Sequence, residues 1–333
     1  MVANDIVGQT STATLAGGGD PLYIPPKPEY SGVTGLLMNF GAAGSYVCSG
    51  SLINDNSIVT AAHCATGPGG AKLVSMTAFF FNGAADPNVY ADGSPATRIG
   101  VSSLQIHPLY TGQVVDENDI ATVRLASSAP AFAPRYQLAN IADLTGLDHI
   151  IAGYGVRSNG GGSVGSNLGT GRLRYAGNRF DFSFGDSDWG GYWTNAFGTA
   201  AVGNVWLSDF DNGTAARDGS CRLPAGEGFT APVFTSGKYC NTGIGAFEGI
   251  GGGGDSGSPY FVDGKVAAVH SFAYWLAEDE SSNRFGQLKG AISTTYHRNF
   301  ILSTVPEPTS WAMLVIGFGF VGAMARRTPR ATA

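Results

Sequence analysis

The sequence predicts an all-β fold, and three observations carry that prediction. Charged residues make up only 13% of the 333, against roughly 25% in an average soluble protein. Glycine occurs 50 times, about twice its usual share, which suits a chain that turns often. Short runs rich in Val, Ile, Thr, Tyr and Phe alternate with turn residues, and no long amphipathic helix interrupts them. The length suffices for one large or two small domains with a real core.

In chain order, Met1–Asp5 has neither a basic n-region nor an apolar core, so it is not a complete signal peptide. Because other features below require export, Met1–Asp5 is expected to be the remnant of an export signal or propeptide, with the start assigned too late. Residues 11–32 are Gly/Pro-rich and read as an irregular lead-in. Strand-like runs follow at Gly35–Phe40, Tyr46–Cys48, Ser51–Ile53, Ser57–Thr60, Leu73–Phe81, Arg98–Ile106, Ile120–Leu125 and His149–Ala152. Residues 156–220, with scattered aromatics including Trp189, Trp193 and Trp206, read as hairpins with long decorated loops. Their glycines match no phosphate- or dinucleotide-binding fingerprint. Pro259–Ser271 reads as two strands around the turn Asp263-Gly264. Ile292–Leu302 is the best helix candidate, with Ile292, Tyr296, Phe300 and Ile301 on one face and Ser293 or Thr294 as cap.

Charge and cysteines narrow the function. The net charge is −6, with five lysines and no basic block before the extreme C-terminus, so nucleic-acid binding is not expected. The four cysteines, Cys48, Cys64, Cys221 and Cys240, contain no C-x-x-C pair and fit zinc poorly. No metal or cofactor is expected. Two sequence-local pairs suit disulfides in an oxidising compartment. Of three possible pairings, Cys48–Cys64 with Cys221–Cys240 is favoured.

The catalytic candidate is Gly254-Asp255-Ser256-Gly257-Ser258-Pro259, preceded by Gly251–Gly253. Flanking glycines let a tight turn expose a serine hydroxyl beside outward-pointing backbone N–H groups, the pair of features acyl transfer needs. Alone the motif is weak, because such a loop is more often only a loop. A serine nucleophile also needs a base and an orienting acid. Of five histidines, His63 in Thr60-Ala61-Ala62-His63-Cys64 sits at a strand end beside an anchoring cysteine. Asp119 opens the apolar run Asp119–Leu125 and is expected to be half-buried, whereas Asp116 and Glu117 read as solvated loop charges.

With those residues in view, the chain resembles the trypsin/chymotrypsin-like serine peptidases over residues 30–303. The matches are Thr60–Cys64, Asp119-Ile120-Ala121 and Gly254–Pro259, with weaker ones at Cys48–Ile53, Ile106–Tyr110, Ala152–Gly155 and Ser271–Ala273. Their order, His, Asp, Ser, is not that of an α/β-hydrolase.

The resemblance implies two six-stranded antiparallel β-barrels, at 30–137 and 148–290, then a helix over 292–302, all within a peptidase domain of residues 6–303. It implies a serine endopeptidase with catalytic His63, Asp119 and Ser256, and an oxyanion hole from the N–H groups of Gly254 and Ser256. Ser271 would support Asp119, and Ser271, Phe272, Ala273 and Gly290 would line the substrate site. Counting back without gaps puts Ile250 at the base of the specificity pocket, which favours aliphatic side chains. A shift in the glycine tract would put Glu248 there and favour Lys or Arg. Ile6-Val7-Gly8 would form a new amino terminus pairing with Asp255. A cysteine usual before the nucleophile is absent, and Ser258 stands where glycine is usual. The alternative from another class is a catalytically silent binding or envelope-matrix relative.

The tail has a different character. Val305-Pro306-Glu307-Pro308 precedes the apolar run Trp311–Ala325 and then Arg326-Arg327. As a helix that run spans about 22 Å, short of a ~30 Å hydrocarbon core, and the arginines form a positive stop. Residues 305–333 resemble the PEP-CTERM sorting signal. That resemblance implies export to the cell envelope or beyond, transient inner-membrane anchoring through 311–325, and cleavage by an exosortase. A protein or peptide substrate is the other expected partner.

Overall fold

In the computed structural model, residues 6–227, 239–274 and 283–304 are described. The expected membrane run and the expected remnant 1–5 lie outside them. No helix among the described residues is long and apolar enough to cross a membrane.

A short strand, β1 (Val7–Gly8), precedes the first barrel. The barrel's strands are β2 (Val33–Asn39), β3 (Ser45–Leu52), β4 (Ser57–Thr60), β5 (Ser75–Phe80), β6 (Thr97–Ile106) and β7 (Ala121–Leu125). They close in the order β2-β3-β4-β7-β6-β5, every pair antiparallel. Leu36, Met38, Ile58, Phe80, Val123 and Leu125 are buried within it. Closure removes the unpaired edges that an open sheet would expose.

The second half contains β8 (Asp148–Gly153), β9 (Arg174–Arg179), β10 (Phe182–Ser183), β11 (Val205–Asp209), β12 (Gly249–Ile250), β13 (Pro259–Val262), β14 (Lys265–Tyr274) and β15 (Leu288–Ser293). Seven of these form one curled sheet, β10-β11-β15-β14-β13-β8-β9, while β12 pairs with β1. This corrects the expected second six-stranded barrel. The extra strand arises because one run of chain is bent at Phe180-Asp181. β9 pairs with β8, and beyond the bend β10 pairs with β11. Phe180 N–H donates to Leu147 and Asp181 N–H to Leu207, so both sides of the corner keep partners.

Two further expectations are corrected. The helix predicted over 292–302 begins only at α2 (Arg298–Ser303), and its first residues belong to β15. β15 lies between β11 and β14 and is buried along its whole length, so its apolar run reads equally as strand or helix. His297, not Ser293 or Thr294, stands at the helix cap. The lead-in is also packed: Tyr23 is fully buried and donates its hydroxyl to Ala246 O at 2.7 Å. A short helix, α1 (Gly219–Gly226), follows β11 and carries Cys221, bonded to Cys240; Cys48 bonds Cys64.

Candidate active site

His63 lies in a single helical turn, Ala62–Ala65, where β4 ends. Ala61 and Ala62 are fully buried, and the Cys48–Cys64 disulfide ties the turn to β3. Small side chains and a covalent anchor leave the ring little freedom. His63 Nδ1 lies 2.7 Å from Asp119 Oδ2, and the His63 backbone N–H donates to Asp119 Oδ1 at 2.8 Å. The histidine side chain is 25% exposed and the aspartate 2%. A carboxylate accepts only, so Nδ1 carries the proton and Nε2 is left as the basic nitrogen. Burial pulls the His63 pKa down, but the charge and hydrogen bond of Asp119 outweigh it and the net shift is upward. For Asp119, burial pushes up while His63 and the Ser271 hydroxyl hold the carboxyl below its ordinary value.

Asp119 is positioned by its neighbours. Its N–H donates to Asp116 O at 3.0 Å, and the buried Asp116 carboxylate accepts from Thr111 N–H, Thr111 Oγ1 and Asn118 N–H. Glu117 is buried too and accepts from Asn204 N–H at 2.9 Å. Neither is the solvated loop charge expected from sequence, because each finds donors that a linear reading does not reveal. From the second sheet, Ser271 Oγ donates to Asp119 Oδ2 at 2.5 Å.

Ser256 lies in the loop between β12 and β13 and is half-buried. Its carbonyl accepts the Ser49 N–H at 2.8 Å, and Cys64 Sγ lies 3.6 Å from the same oxygen. Ser49 Oγ donates to Gly254 O at 2.8 Å and accepts from Tyr154 N–H at 2.9 Å. The first barrel thus grips the loop and brings residue 256 beside the disulfide that carries His63. Gly254 adopts φ +92°, a conformation that favours glycine. Among the described residues, neither the Gly254 N–H nor the Ser256 N–H donates to a protein acceptor.

Asp255 points the other way, into a slot shaped by two glycines. A Cβ on Gly153 would lie 2.1 Å from Asp255 Oδ1, and one on Gly155 would lie 2.4 Å from Oδ2. The carboxylate accepts from Gly155 N–H (2.8 Å) and Gly252 N–H (3.0 Å), and the Ile6 backbone N–H acts to lower its pKa. Burial nonetheless raises its pKa to about 7. Ile6 is buried in one core cluster with Tyr23, Ile151 and Tyr260, and Val7 pairs with Ile250.

The expected substrate-site residues divide. Ser271, Phe272 and Ala273 lie on β14, and Gly290 lies opposite Phe272 on β15. The Phe272 ring covers Gly290, where an added Cβ would be 2.1 Å from the ring. Ile250 packs with Val7, Phe210 and Phe285, and the Glu248 carboxylate is held by the N–H groups of Asp211 and Ile244. Sequence reasoning missed Lys289, which is buried, lies 2.6 Å from Asn283 Oδ1, and acts electrostatically on Asp255 and His270. The available signal was a single cation inside the apolar run Leu288–Ile292.

A closed β-barrel joined to a curled β-sheet defines the chymotrypsin-like class of folds. Neuropsin, a serine protease expressed in the limbic system of mouse brain, shares it with a TM-score of 0.53 and 18% identity, covering 85% of this chain and 98% of that one. The trypsin family model matches residues 29–197, and the chain belongs to that family. Trypsin alpha of Drosophila melanogaster and trypsin beta of Drosophila erecta are each 32% identical over 128 residues, 38% of this chain and 46% of theirs. The chain therefore spans just under half the length of these curated relatives. The PEP-CTERM protein-sorting motif matches residues 304–330. The trypsin match contains His63 and Asp119 but ends before Ser256.

Proposed function

We propose that the protein is a serine endopeptidase acting on protein or peptide substrates through Ser256, His63 and Asp119. The observation that carries the reading is the His63–Asp119 pair, closed by Ser271 from one side while Ser49 holds Ser256 beside Cys64. Ser256 Oγ attacks the scissile carbonyl carbon and gives its proton to His63 Nε2. The carbonyl oxygen becomes an oxyanion, which the N–H groups of Gly254 and Ser256 stabilise. The imidazolium, stabilised by Asp119, then protonates the departing amine and leaves an acyl-enzyme. Water, deprotonated by His63, releases the acid and restores the serine.

In this reading residues 6–303 form the catalytic unit. Cleavage before Ile6 converts its N–H into an ammonium that neutralises Asp255. Residues 305–333 form a tag that carries the chain to the inner membrane, where an exosortase removes it and leaves the enzyme in the envelope or outside the cell.

Hydrolysis of a quenched fluorescent protein substrate by a chain beginning at Ile6 tests the reading. Turnover by the wild type, absent from Ser256→Ala and His63→Ala, is the expected result. Equal turnover by all three would assign it to a contaminant and remove the support.

A further inference from the structure

The second sheet holds an acidic pocket that has no part in the chemistry above. Asp181, Asp209, Asp211, Asp218 and Glu248 converge there, all buried. They differ in how their oxygens are occupied. Asp181 accepts from Asp209 N–H (2.9 Å), Ser220 Oγ (2.8 Å) and Asn241 Nδ2 (2.6 Å), which engages both of its oxygens. Glu248 accepts from Asp211 N–H at 2.5 Å and Ile244 N–H at 2.8 Å, one on each oxygen. Asp209 Oδ2 accepts from Ser220 N–H, and Asp218 Oδ1 from Cys221 N–H. Asp211 is fully buried, yet among the described residues no donor reaches either of its carboxylate oxygens. A buried polar group without a hydrogen-bond partner is costly for a fold to carry.

Geometry supplies the missing partner. Asp209, Asp211 and Asp218 each offer one oxygen, and the three lie within 4.8 Å of one another. Oxygens bound to one Ca²⁺ at about 2.3–2.6 Å lie within about 5 Å of one another, a range the three satisfy. Carboxyl groups this close repel one another when ionised, and either a shared proton or a cation between them relieves that repulsion. All three donors are hard carboxylate oxygens, and the nearby Cys221 and Cys240 sulfurs are closed in a disulfide. That donor set suits Ca²⁺ and not a soft or borderline metal.

We propose that Asp209, Asp211 and Asp218 form a binding site for a hard divalent cation of the Ca²⁺ type. The site lies beneath the segment that presents Ile6. Gln9 N–H donates to Glu248 O at 3.1 Å, and Gln9 Nε2 donates to Asp211 O. The Asp211 N–H in turn holds the Glu248 carboxylate. Binding therefore braces residues 6–9 against the second sheet, whatever reaction the protein performs.

The test is calorimetric titration of the EDTA-stripped full chain with CaCl₂ at pH 7.5, paired with thermal unfolding with and without Ca²⁺. One equivalent should bind with Kd of about 1 mM or tighter and raise Tm. Asp211→Asn should weaken binding at least tenfold and still fold, because its side chain loses no hydrogen bond. Asp218→Asn provides a second variant with the same expectation. Absence of both heat and a Tm shift in the wild type would overturn the proposal, as would undiminished binding in the variants. Neither readout uses hydrolysis, so an inactive Ser256 leaves the result unaffected.

Discussion

Asp119 of the first barrel and Ser271 of the second sheet meet directly, hydroxyl to carboxylate, across the boundary between the two halves. The oxygen that accepts from Ser271 is the one facing His63 Nδ1. The two halves must therefore dock correctly before the histidine's partner is complete. A hydrogen bond to a charged group is worth roughly 1.5–3 kcal/mol. Ser271→Ala is expected to lower kcat by about 10- to 100-fold with KM little changed. Steady-state kinetics on a peptide ester would read that split, and an effect confined to KM would place Ser271 in binding.

The pH profile follows from the same pair. His63 must be neutral to accept a proton, and Asp119 raises its pKa above the ordinary 6.5. Activity should therefore rise through a midpoint above 6.5. Asp119→Asn removes the charge that raises the pKa and leaves burial, which lowers it, so the limb moves to lower pH. Loss of the carboxylate in such triads costs about 10⁴ in kcat. A kcat/KM profile between pH 4 and 9 checks both shifts.

Asp255 predicts opposite responses in two forms of the chain. With Ile6 inside the polypeptide, its N–H is neutral and burial raises the carboxyl to about 7. A carboxyl raised in the folded state favours folding at low pH, and that contribution is lost as pH rises from about 4 through about 7. In the uncleaved chain, Asp255→Asn should gain stability relative to wild type between pH 5 and 7, with no further change above that. In a chain beginning at Ile6 the new ammonium pairs with the carboxylate, so the same substitution should reduce both stability and activity. Urea unfolding of the four proteins at the two pH values separates these cases.

Arg174 is a second strap across the halves. Its buried guanidinium makes two contacts to Asp86 (3.0 and 2.7 Å), and it also donates to Thr12 O and Ala13 O. One side chain thus joins β9, the lead-in and the loop after β5. Removing one partner of a fully buried pair typically costs about 3–5 kcal/mol, an upper bound here because the Asp86 side chain is 30% exposed. Arg174→Ala should lower unfolding stability by that order, measured by urea denaturation at pH 7.

The Cys48–Cys64 bond closes a 16-residue separation, worth about 3 kcal/mol on the chain-entropy model. Replacing both cysteines by alanine should cost roughly that stability. Because the bond anchors the His63 turn, kcat should fall more than the stability loss alone explains. Activity measured well below Tm isolates this effect.

What was legible in the sequence was local. His63 stands beside its anchoring cysteine, Asp119 stands just before β7, and the Ala152–Gly155 stretch supplies the glycines that make room for Asp255. What was hidden depends on distant chain. Glu117 looks solvated until Asn204 arrives to satisfy it. Ile292 fits a helical stripe as well as a buried strand, and only β11 and β14 on either side decide for the strand. The acidic pocket is assembled from residues scattered between 181 and 248, and no spacing announces it. The bend at Phe180-Asp181 likewise has no breaker residue to mark it.

The central claim is an activated Ser256 facing open oxyanion donors. Intact-mass analysis after exposure to a fluorophosphonate tests it most directly, using protein beginning at Ile6 beside its Ser256→Ala variant. One phosphonyl adduct on the first and none on the second is the predicted result. No adduct on folded, disulfide-intact protein of that form would contradict the account and leave a binding protein in its place.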